Sequence, residues 1–309
     1  MKKVSVIGAG QVGATAVYYI AESNFAEIVL VDVVEGLAAA KATDFLHSAQ
    51  LRSYNPDITG TSDYSLIKNS DVVVITAGIP RRPGMDRMDL LKTNVAIVRG
   101  VSKEIARYAP NAVVIVVTNP LDVIAMAVLR ETGFALKKVI GMAGVLDETR
   151  FRYFVAEKLG IWPGDVMAMV LGGHGNEMVP LKSHTSIGGM PLPDLMPDDE
   201  IEKIIDRTRN GGGEIVKYLK EGSAFYAPGA SVAKMVEAVI KDEKRLISAS
   251  AYLRGEYGYD SIFLGVPIII GKNGVEKIVE IYLDENEKAA LDKSADAVKK
   301  GVEELNTVF

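Results

Sequence analysis

The feature that most constrains the fold is a series of short, continuously apolar runs separated by stretches with helical spacing. Five runs rich in Val and Ile fall in the first half of the chain: KVSVIG (3–8), EIVLVDV (27–33), DVVVITAG (71–78), NAVVIVVTNP (111–120) and KKVIGMAG (137–144). Helical patterns lie between them at 12–22, 37–48 and 86–108. Runs without polar alternation are typical of parallel strands buried on both faces. The alternation of strand and helix therefore predicts an α/β fold with a doubly wound parallel sheet.

The second half of the chain has a different pattern, which predicts a separate α+β domain. We expect a strand ending in glycines within GDVMAMVLGGHG, and a helical stretch from about 198 to 241 that is broken at Gly211–Gly213. The runs IFLGVPIIIG and VEKIVEIYL flank KNG, which is a hairpin signal. An amphipathic helix is expected where apolar residues recur at helical spacing; these are Leu291, Ala295, Val298, Val302 and Leu305. The domain boundary is expected near 141–146.

Composition excludes several classes of function. The chain has 309 residues, 48% of them hydrophobic, which is enough to build two domains with substantial cores. Its net charge of −5 offers no broad cationic surface, so we expect neither nucleic acid nor an acidic membrane as a partner. With no cysteine and three histidines that lack ligand spacing, we expect no metal site. No apolar run reaches the roughly 18 residues of a membrane span, and we expect a cytoplasmic protein.

The segment GAGQVG has the spacing of a dinucleotide-binding loop. It comprises Gly8, Ala9, Gly10, Gln11, Val12 and Gly13, directly after the first predicted strand and at the start of the first helix. The first glycine allows the turn, the second lets backbone approach a pyrophosphate, and the third lets helix and strand pack closely. An acidic residue, Asp32, ends the second strand, where it can accept both ribose hydroxyls of NAD and would repel the 2′-phosphate of NADP. FAD-binding proteins share this fingerprint, which therefore does not identify the nicotinamide cofactor by itself.

Three further motifs carry groups suited to chemistry, and each has a plain structural alternative. His174 follows an apolar strand between Gly173 and Gly175, although a histidine there is more often a polar loop residue. Asp147 and Arg150 are three residues apart, a spacing that also suits a surface ion pair on a helix. Asn119 stands where the fourth strand ends, at the edge where ligands bind in open α/β sheets, yet Asn-Pro also favours a turn.

Taken together, the chain resembles the lactate/malate dehydrogenase family over its whole length. The resemblance rests on GAGQVG, VLVDV, TAGIPRRPGMDRMDLLKTN, VTNPLD, GMAGVLDETRFR and GGHGNEMVP, in family order and spacing. It implies an N-terminal NAD-binding Rossmann domain over 1–143 and a C-terminal α+β catalytic and substrate-binding domain over 144–309. It also implies hydride transfer between NAD and (S)-malate or oxaloacetate, and assembly as a homodimer or homotetramer.

The resemblance assigns a role to each of these positions. His174 would be the general acid/base, Asp147 would hold its imidazole, and Arg150 would grip the substrate's C1 carboxylate. Asn119 would hydrogen-bond the reacting oxygen. The cofactor would be contacted by Asn94 and by the backbone of Val117, Thr118 and Asn119.

The arginine-rich segment PRRPGMDR (80–87) occupies the place of the family's mobile loop, which closes over the substrate. Arg87 would polarise the substrate carbonyl. Arg81 falls where family members that act on malate have arginine and those that act on lactate typically have glutamine. A second carboxylate on the substrate would pair with Arg81, whereas pyruvate would leave that charge enclosed without a partner. Arg82 is interpreted as a surface charge.

Two points qualify the interpretation. The family usually has aspartate after GGHG, but this chain has Asn176, so we expect a lower imidazole pKa and a shifted pH optimum. The alternatives are a dehydrogenase of lactate or another 2-hydroxy acid, and a non-catalytic NAD-binding sensor. A sensor has no need of an acid/base beside an orienting carboxylate.

Overall fold

The computed structural model describes residues 2–80, 87–220 and 222–309, and for Arg87 the backbone alone. Within them, strands and α-helices alternate through the first half of the chain, as expected. In chain order the elements are β1 (Lys3–Ile7), α1 (Gln11–Ser23), β2 (Glu27–Val31), α2 (Leu37–Ala49), β3 (Ile58–Thr61), β4 (Val72–Ile75), α3 (Arg87–Tyr108), β5 (Val113–Val116), α4 (Leu121–Thr132), β6 (Val139–Gly141), α5 (Gly144–Leu159), β7 (Val166–Met167), β8 (Val170–Leu171), β9 (Val179–Pro180), β10 (Ser186–Ile187), β11 (Met190–Pro191), α6 (Leu192–Leu195), α7 (Asp198–Leu219), α8 (Tyr226–Ile240), β12 (Arg245–Arg254), β13 (Asp260–Gly271), β14 (Gly274–Ile278) and α9 (Glu285–Asn306).

One nine-stranded sheet forms the centre of the structure, in the order β14-β13-β12-β6-β5-β4-β1-β2-β3. The pairs from β6 to β3 are all parallel, and the order reverses between β4 and β1, as in a doubly wound sheet. Both faces are covered, because alternate residues of one strand enter different apolar clusters. Val4 and Val6 of β1 pack on the α1 and α8 side, and Ile7 packs on the α3 and α4 side.

The second half of the chain extends this sheet and adds small ones. β12 is antiparallel to β6, with Ser250 opposite Gly141, and β13 and β14 form the expected hairpin at its edge. The predicted boundary at 143/144 falls between β6 and α5, and the division into two domains stays a prediction. Within the described part of the chain, no helix is both long enough and apolar enough to cross a membrane.

The structure contains elements that the pattern of apolar runs did not reveal. β3 is an edge strand with a single buried residue, Ile58, so it has no apolar run. β12 alternates apolar residues with Ser248 and Ser250, both fully buried, so its sequence contains no continuous apolar run. GDVMAMVLGGHG was predicted as one strand but forms two short ones, because β7 pairs with β10 whereas β8 pairs with β9.

The predicted helix break at Gly211–Gly213 is wrong. α7 runs through all three glycines and ends at Leu219, followed by Lys220 with a φ of +63°. Glycine disfavours a helix interior by only about 1 kcal/mol, which the burial of Ile201, Ile204 and Ile205 on the same helix outweighs. Gly211 allows close approach instead: a Cβ on it would lie 3.3 Å from Arg150 Cδ.

We expect Gly213→Ala to stabilise the protein. A Cβ at this exposed helical position meets no atom within 4 Å, so alanine brings its higher helix propensity, about 0.5–1 kcal/mol, without a steric cost. Urea unfolding followed by circular dichroism measures the change. Gly211→Ala is the matched control and should gain less, because its Cβ presses on Arg150. A Gly213→Ala variant no more stable than the parent would contradict a continuous α7.

Candidate active site

The glycine loop and the segment Val117–Pro120 lie at the carboxyl ends of β1 and β5, beside the point where the strand order reverses. The chain leaves β1 at the glycine loop, leaves β4 at Thr76–Pro80, and leaves β5 at Val117–Pro120. Open α/β sheets bind their ligands at this edge. The fold therefore brings the loop GAGQVG and the segment VTNP to one crevice.

The three glycines of the loop do not have the same reason to be glycine. Gly8 has a φ of +108°, and a Cβ on it would lie 2.7 Å from Thr76 Oγ1. A Cβ on Gly13 would collide with the carbonyl oxygen of Gly8. A Cβ on Gly10, in contrast, would meet no protein atom within 4 Å, so packing does not explain this glycine. Gly10 is the N-cap of α1 and offers no side-chain cap, which leaves open space at the helix N-terminus for an anion.

Asp32 accepts two backbone hydrogen bonds beside the glycine loop. One of its oxygens, Oδ2, accepts a hydrogen bond from Ala9 N (2.7 Å), and Oδ1 accepts one from Val34 N (2.9 Å). A carboxylate offers about four acceptor positions, so two remain for hydroxyl donors. No arginine follows before Arg52 in the sequence. The glycine loop, the uncapped helix and this carboxylate together fit a dinucleotide without a 2′-phosphate.

Asn94 and Thr118 fasten the loops after β4 and β5 to each other. Asn94 is 1% exposed; its Oδ1 accepts from Ile79 N (2.8 Å) and its Nδ2 donates to Asn119 O (2.7 Å). Thr118 Oγ1 donates to Ala77 O (2.7 Å). The side chain of Asn94 thus shapes the crevice wall, and the contacts of Asn94, Val117 and Thr118 with a cofactor stay predictions.

His174 and Asp147, 27 residues apart in sequence, form a buried pair. His174 Nδ1 lies 2.9 Å from Asp147 Oδ2, with side chains 16% and 2% exposed. Burial lowers the pKa of the His174 imidazole, but the charge of Asp147 and its hydrogen bond outweigh this and raise the pKa above its ordinary value. Because the Asp147 carboxylate accepts a hydrogen bond, Nδ1 donates and Nε2 is left for a ligand.

Arg150 completes this cluster from the same helix. Its Nη1 lies 3.4 Å from Asp147 Oδ1, and its side chain is 15% exposed. The alternative of a surface ion pair therefore does not describe these two residues. The guanidinium lies beside Gly211 and Gly212 of α7. A Cβ on Gly212 would come within 3.7 Å of both of its terminal nitrogens.

Sequence reasoning gave no role to Asp122 or Ser250, which the structure adds to the site. Asp122, in the first turn of α4, is 5% exposed, and its Oδ2 accepts from the backbone N of His174 (3.0 Å). Its Oδ1 accepts from Ser250 Oγ (2.6 Å). The only signal for Asp122 in the sequence was its place in the motif VTNPLD. That signal is weak, because the helix dipole by itself favours an acidic residue in the first turn of a helix.

The remaining predicted residues are described in part. Asn119 follows β5, is exposed, and precedes Pro120 through a cis peptide bond. Arg81 lies outside the described residues, and Arg87 is described only as the first residue of α3. Asn176 lines a cavity of about 380 Å³ together with His174, Asp122, Gly173 and Ser294.

Models of one protein family match both halves of the chain. Residues 2–141 match the family model of the lactate/malate dehydrogenase NAD-binding domain, and residues 144–308 match that of the family's α/β C-terminal domain. A malate dehydrogenase of Methanosarcina barkeri is 52% identical over 305 residues, covering 99% of each chain.

Solved structures of both enzyme types are similar to this fold. The apo form of malate dehydrogenase from Picrophilus torridus has a TM-score of 0.96 at 45% identity, covering 100% of this chain and 98% of that one. A Cryptosporidium parvum lactate dehydrogenase, solved with lactic acid and nicotinamide adenine dinucleotide, has a TM-score of 0.95 at 42% identity, covering 99% and 98%. The backbone fold alone therefore does not decide whether a chain acts on malate or on lactate. The chain belongs to the lactate/malate dehydrogenase family.

Proposed function

We propose that this chain is an NAD-dependent malate dehydrogenase, which interconverts (S)-malate and oxaloacetate. The observation that carries the proposal is the buried pair of His174 and Asp147 with Arg150 beside it. Relatives at 52% identity over nearly the full length, named malate dehydrogenase, support the substrate. The arginine at position 81, where the family resemblance implies arginine for malate and glutamine for lactate, supports it from the sequence.

His174 exchanges the proton of the reaction. In malate oxidation, its Nε2 takes the proton of the C2 hydroxyl, and in oxaloacetate reduction it returns that proton to the carbonyl oxygen. Asp147 fixes the tautomer by accepting from Nδ1 (2.9 Å) and stabilises the imidazolium that forms. The raised pKa of His174 favours the protonated state that the reduction requires.

The arginines and Asn119 hold the substrate. Arg150 has a planar guanidinium that binds the C1 carboxylate in a bidentate manner, which lysine cannot do. Asn119 donates to the reacting oxygen and Arg87 polarises it. Arg81 pairs with the distal carboxylate, so a substrate with a methyl group at that end leaves an enclosed charge unpaired.

NAD is the cofactor that the crevice fits, and when bound it accepts or supplies the hydride. The glycine loop and the N-terminus of α1 would hold its pyrophosphate, and Asp32 would accept from the adenosine ribose. Asn94 and the backbone of Val117–Asn119 would face the nicotinamide half. The proposal includes the division into domains at 143/144, a cytoplasmic location, and a homodimer or homotetramer.

The direct test is NADH oxidation followed by absorbance, with oxaloacetate or pyruvate as the second substrate. We expect fast turnover with oxaloacetate and little with pyruvate. Preference for pyruvate would favour a lactate dehydrogenase and refute the role given to Arg81. No turnover with these or with other 2-oxo acids, despite NADH binding, would favour a non-catalytic sensor.

We expect Asn176→Asp to move the pH profile of malate oxidation to higher pH. A new carboxylate in the cavity beside His174 favours the imidazolium and so raises the imidazole pKa. Oxidation requires the neutral imidazole, so its acidic limb moves upward, while kcat at the optimum stays within about threefold. A profile of log(kcat/KM) against pH that matches the parent would show that position 176 does not act on His174.

A further inference from the structure

Side chains, rather than a neighbouring strand, hold the backbone of the segment that carries His174. β8 ends at Leu171, and Gly172 forms an isolated bridge with Gly265. The next two N–H groups donate to side chains: Gly173 N to Ser294 Oγ (2.8 Å) and His174 N to Asp122 Oδ2 (3.0 Å). Ser294 belongs to α9 and Asp122 to α4, so two helices fix the position of this backbone.

The two glycines before His174 make these contacts possible. Gly172 has a φ of +84°, and a Cβ on it would lie 2.7 Å from Ser294 Oγ. A Cβ on Gly173 would lie 2.9 Å from Val298 Cγ2 and 3.3 Å from Asp122 Oδ2. Side chains at these positions would push the backbone away from its two anchors. The glycines therefore serve to bring the His174 backbone against Asp122.

The two anchors differ in their chemistry. Ser294 is a neutral hydroxyl and is sufficient to hold a backbone N–H. Asp122 is a carboxyl group, 5% exposed, and it takes part in no ion pair among the described residues. Burial raises its pKa, although the hydrogen bonds from Ser250 and His174 oppose this. A buried carboxylate is a costly way to hold an N–H unless a positive charge lies nearby.

His174 provides that positive charge when it is protonated. Among the described residues, three charged groups act on its imidazole: Asp147 and Arg150 from α5, and Asp122 from α4. Both carboxylates favour the imidazolium, whereas Arg150 opposes it. Asp122 also stands three residues after Asn119, so one segment joins the amide at the reacting oxygen to the backbone of the acid/base.

We propose that Asp122 is a positioning residue of the reaction, which anchors the His174 backbone and balances the charge of its protonated imidazole. This inference rests on the proposed function, because it acts through His174. Asp147 orients the ring through Nδ1, and Asp122 fixes the backbone from which the ring extends. Ser250 holds the second oxygen of Asp122 and thereby sets the direction of the carboxylate.

Asp122→Asn tests the charge with little change in shape. The amide oxygen can still accept from His174 N, and the amide nitrogen can donate to Ser250 Oγ. We expect kcat for oxaloacetate reduction to fall about tenfold, with KM for oxaloacetate and for NADH close to the parent values, because a charge-assisted bond is replaced by a neutral one. The alkaline limb of reduction should move to lower pH by about half a unit or more.

A second readout does not depend on turnover. The chain has three histidines, so imidazole proton NMR resolves few signals, and a His174→Asn sample assigns the one from His174. In Asp122→Asn that signal should titrate at lower pH than in the parent. If Asp122→Asn does not fold, Ser250→Ala replaces it: without this donor the pKa of Asp122 rises, so the group is ionised less, and a smaller shift of the His174 titration in the same direction is expected.

The outcomes separate this inference from the proposed function. A parent without turnover on oxaloacetate would refute the function, and the NMR titration would still decide the influence of Asp122 on His174. An active parent whose Asp122→Asn variant keeps both its kcat and its His174 titration would overturn the inference. A lower kcat with an unmoved titration would also overturn it, because that result describes a purely structural anchor.

Discussion

His174→Asn is expected to lower kcat for oxaloacetate reduction by about 10² to 10⁴, with little change in the affinity for NADH. A positioned acid/base contributes an acceleration of this size, and asparagine cannot deliver the proton. The expected cofactor site is formed by the glycine loop and Asp32, with no contribution from His174, so cofactor binding should persist. Steady-state kinetics and NADH fluorescence titration measure the two quantities separately.

The chain provides a matched control for this change. His47 lies exposed on α2, and His47→Asn should leave kcat at the parent value. Asp147→Asn is the informative companion, because its amide can donate to Nδ1 and so favour the wrong tautomer. We expect its loss in kcat to approach that of His174→Asn. A His174→Asn variant that retains most of the parent activity would refute the assigned acid/base.

The sequence predicted the framework of the site because the relevant signals are local. Continuous Val and Ile runs indicated the parallel strands, and the order of the sheet then placed the ends of β1, β4 and β5 together. Gly13 is also required by a local contact, because a Cβ on it would collide with the carbonyl oxygen of Gly8 in the same strand–loop–helix unit. The family motifs selected Asp147 and His174, which no local pattern joins across 27 residues.

The parts that sequence reasoning missed depend on contacts between distant segments. The role of Asp122 depends on its contacts with the backbone of His174 and with Ser250, which are 52 and 128 residues away. In the sequence alone it looks like an acidic residue that caps a helix. Gly211 and Gly212 looked like part of a helix break because the sequence does not reveal that Arg150 packs beside them. In both cases the reason for the residue lies in tertiary contacts that no local pattern shows.

Arg81→Gln is expected to lower the preference for oxaloacetate over pyruvate, as a ratio of kcat/KM values, by about a thousandfold. Its position outside the described residues means that this prediction rests on the sequence. If the loop closes as the family resemblance implies, the guanidinium would pair with the distal carboxylate of oxaloacetate, whereas glutamine offers no charge. With pyruvate the arginine would be enclosed without a partner, so its removal would relieve a cost. The variant should therefore lose rate with one substrate and gain it with the other.

Arg82→Gln is the matched control, since it makes the same change at the adjacent position. If Arg82 is a surface charge, its loss changes only the long-range attraction of a dianion, and the effect should be small and disappear at high salt. The Arg81 effect should persist at high salt, because a pair enclosed with the substrate is poorly screened. Equal effects from the two variants would mean that the arginines act through their summed field. The choice between malate and lactate would then have to lie elsewhere in a fold that both enzyme types share.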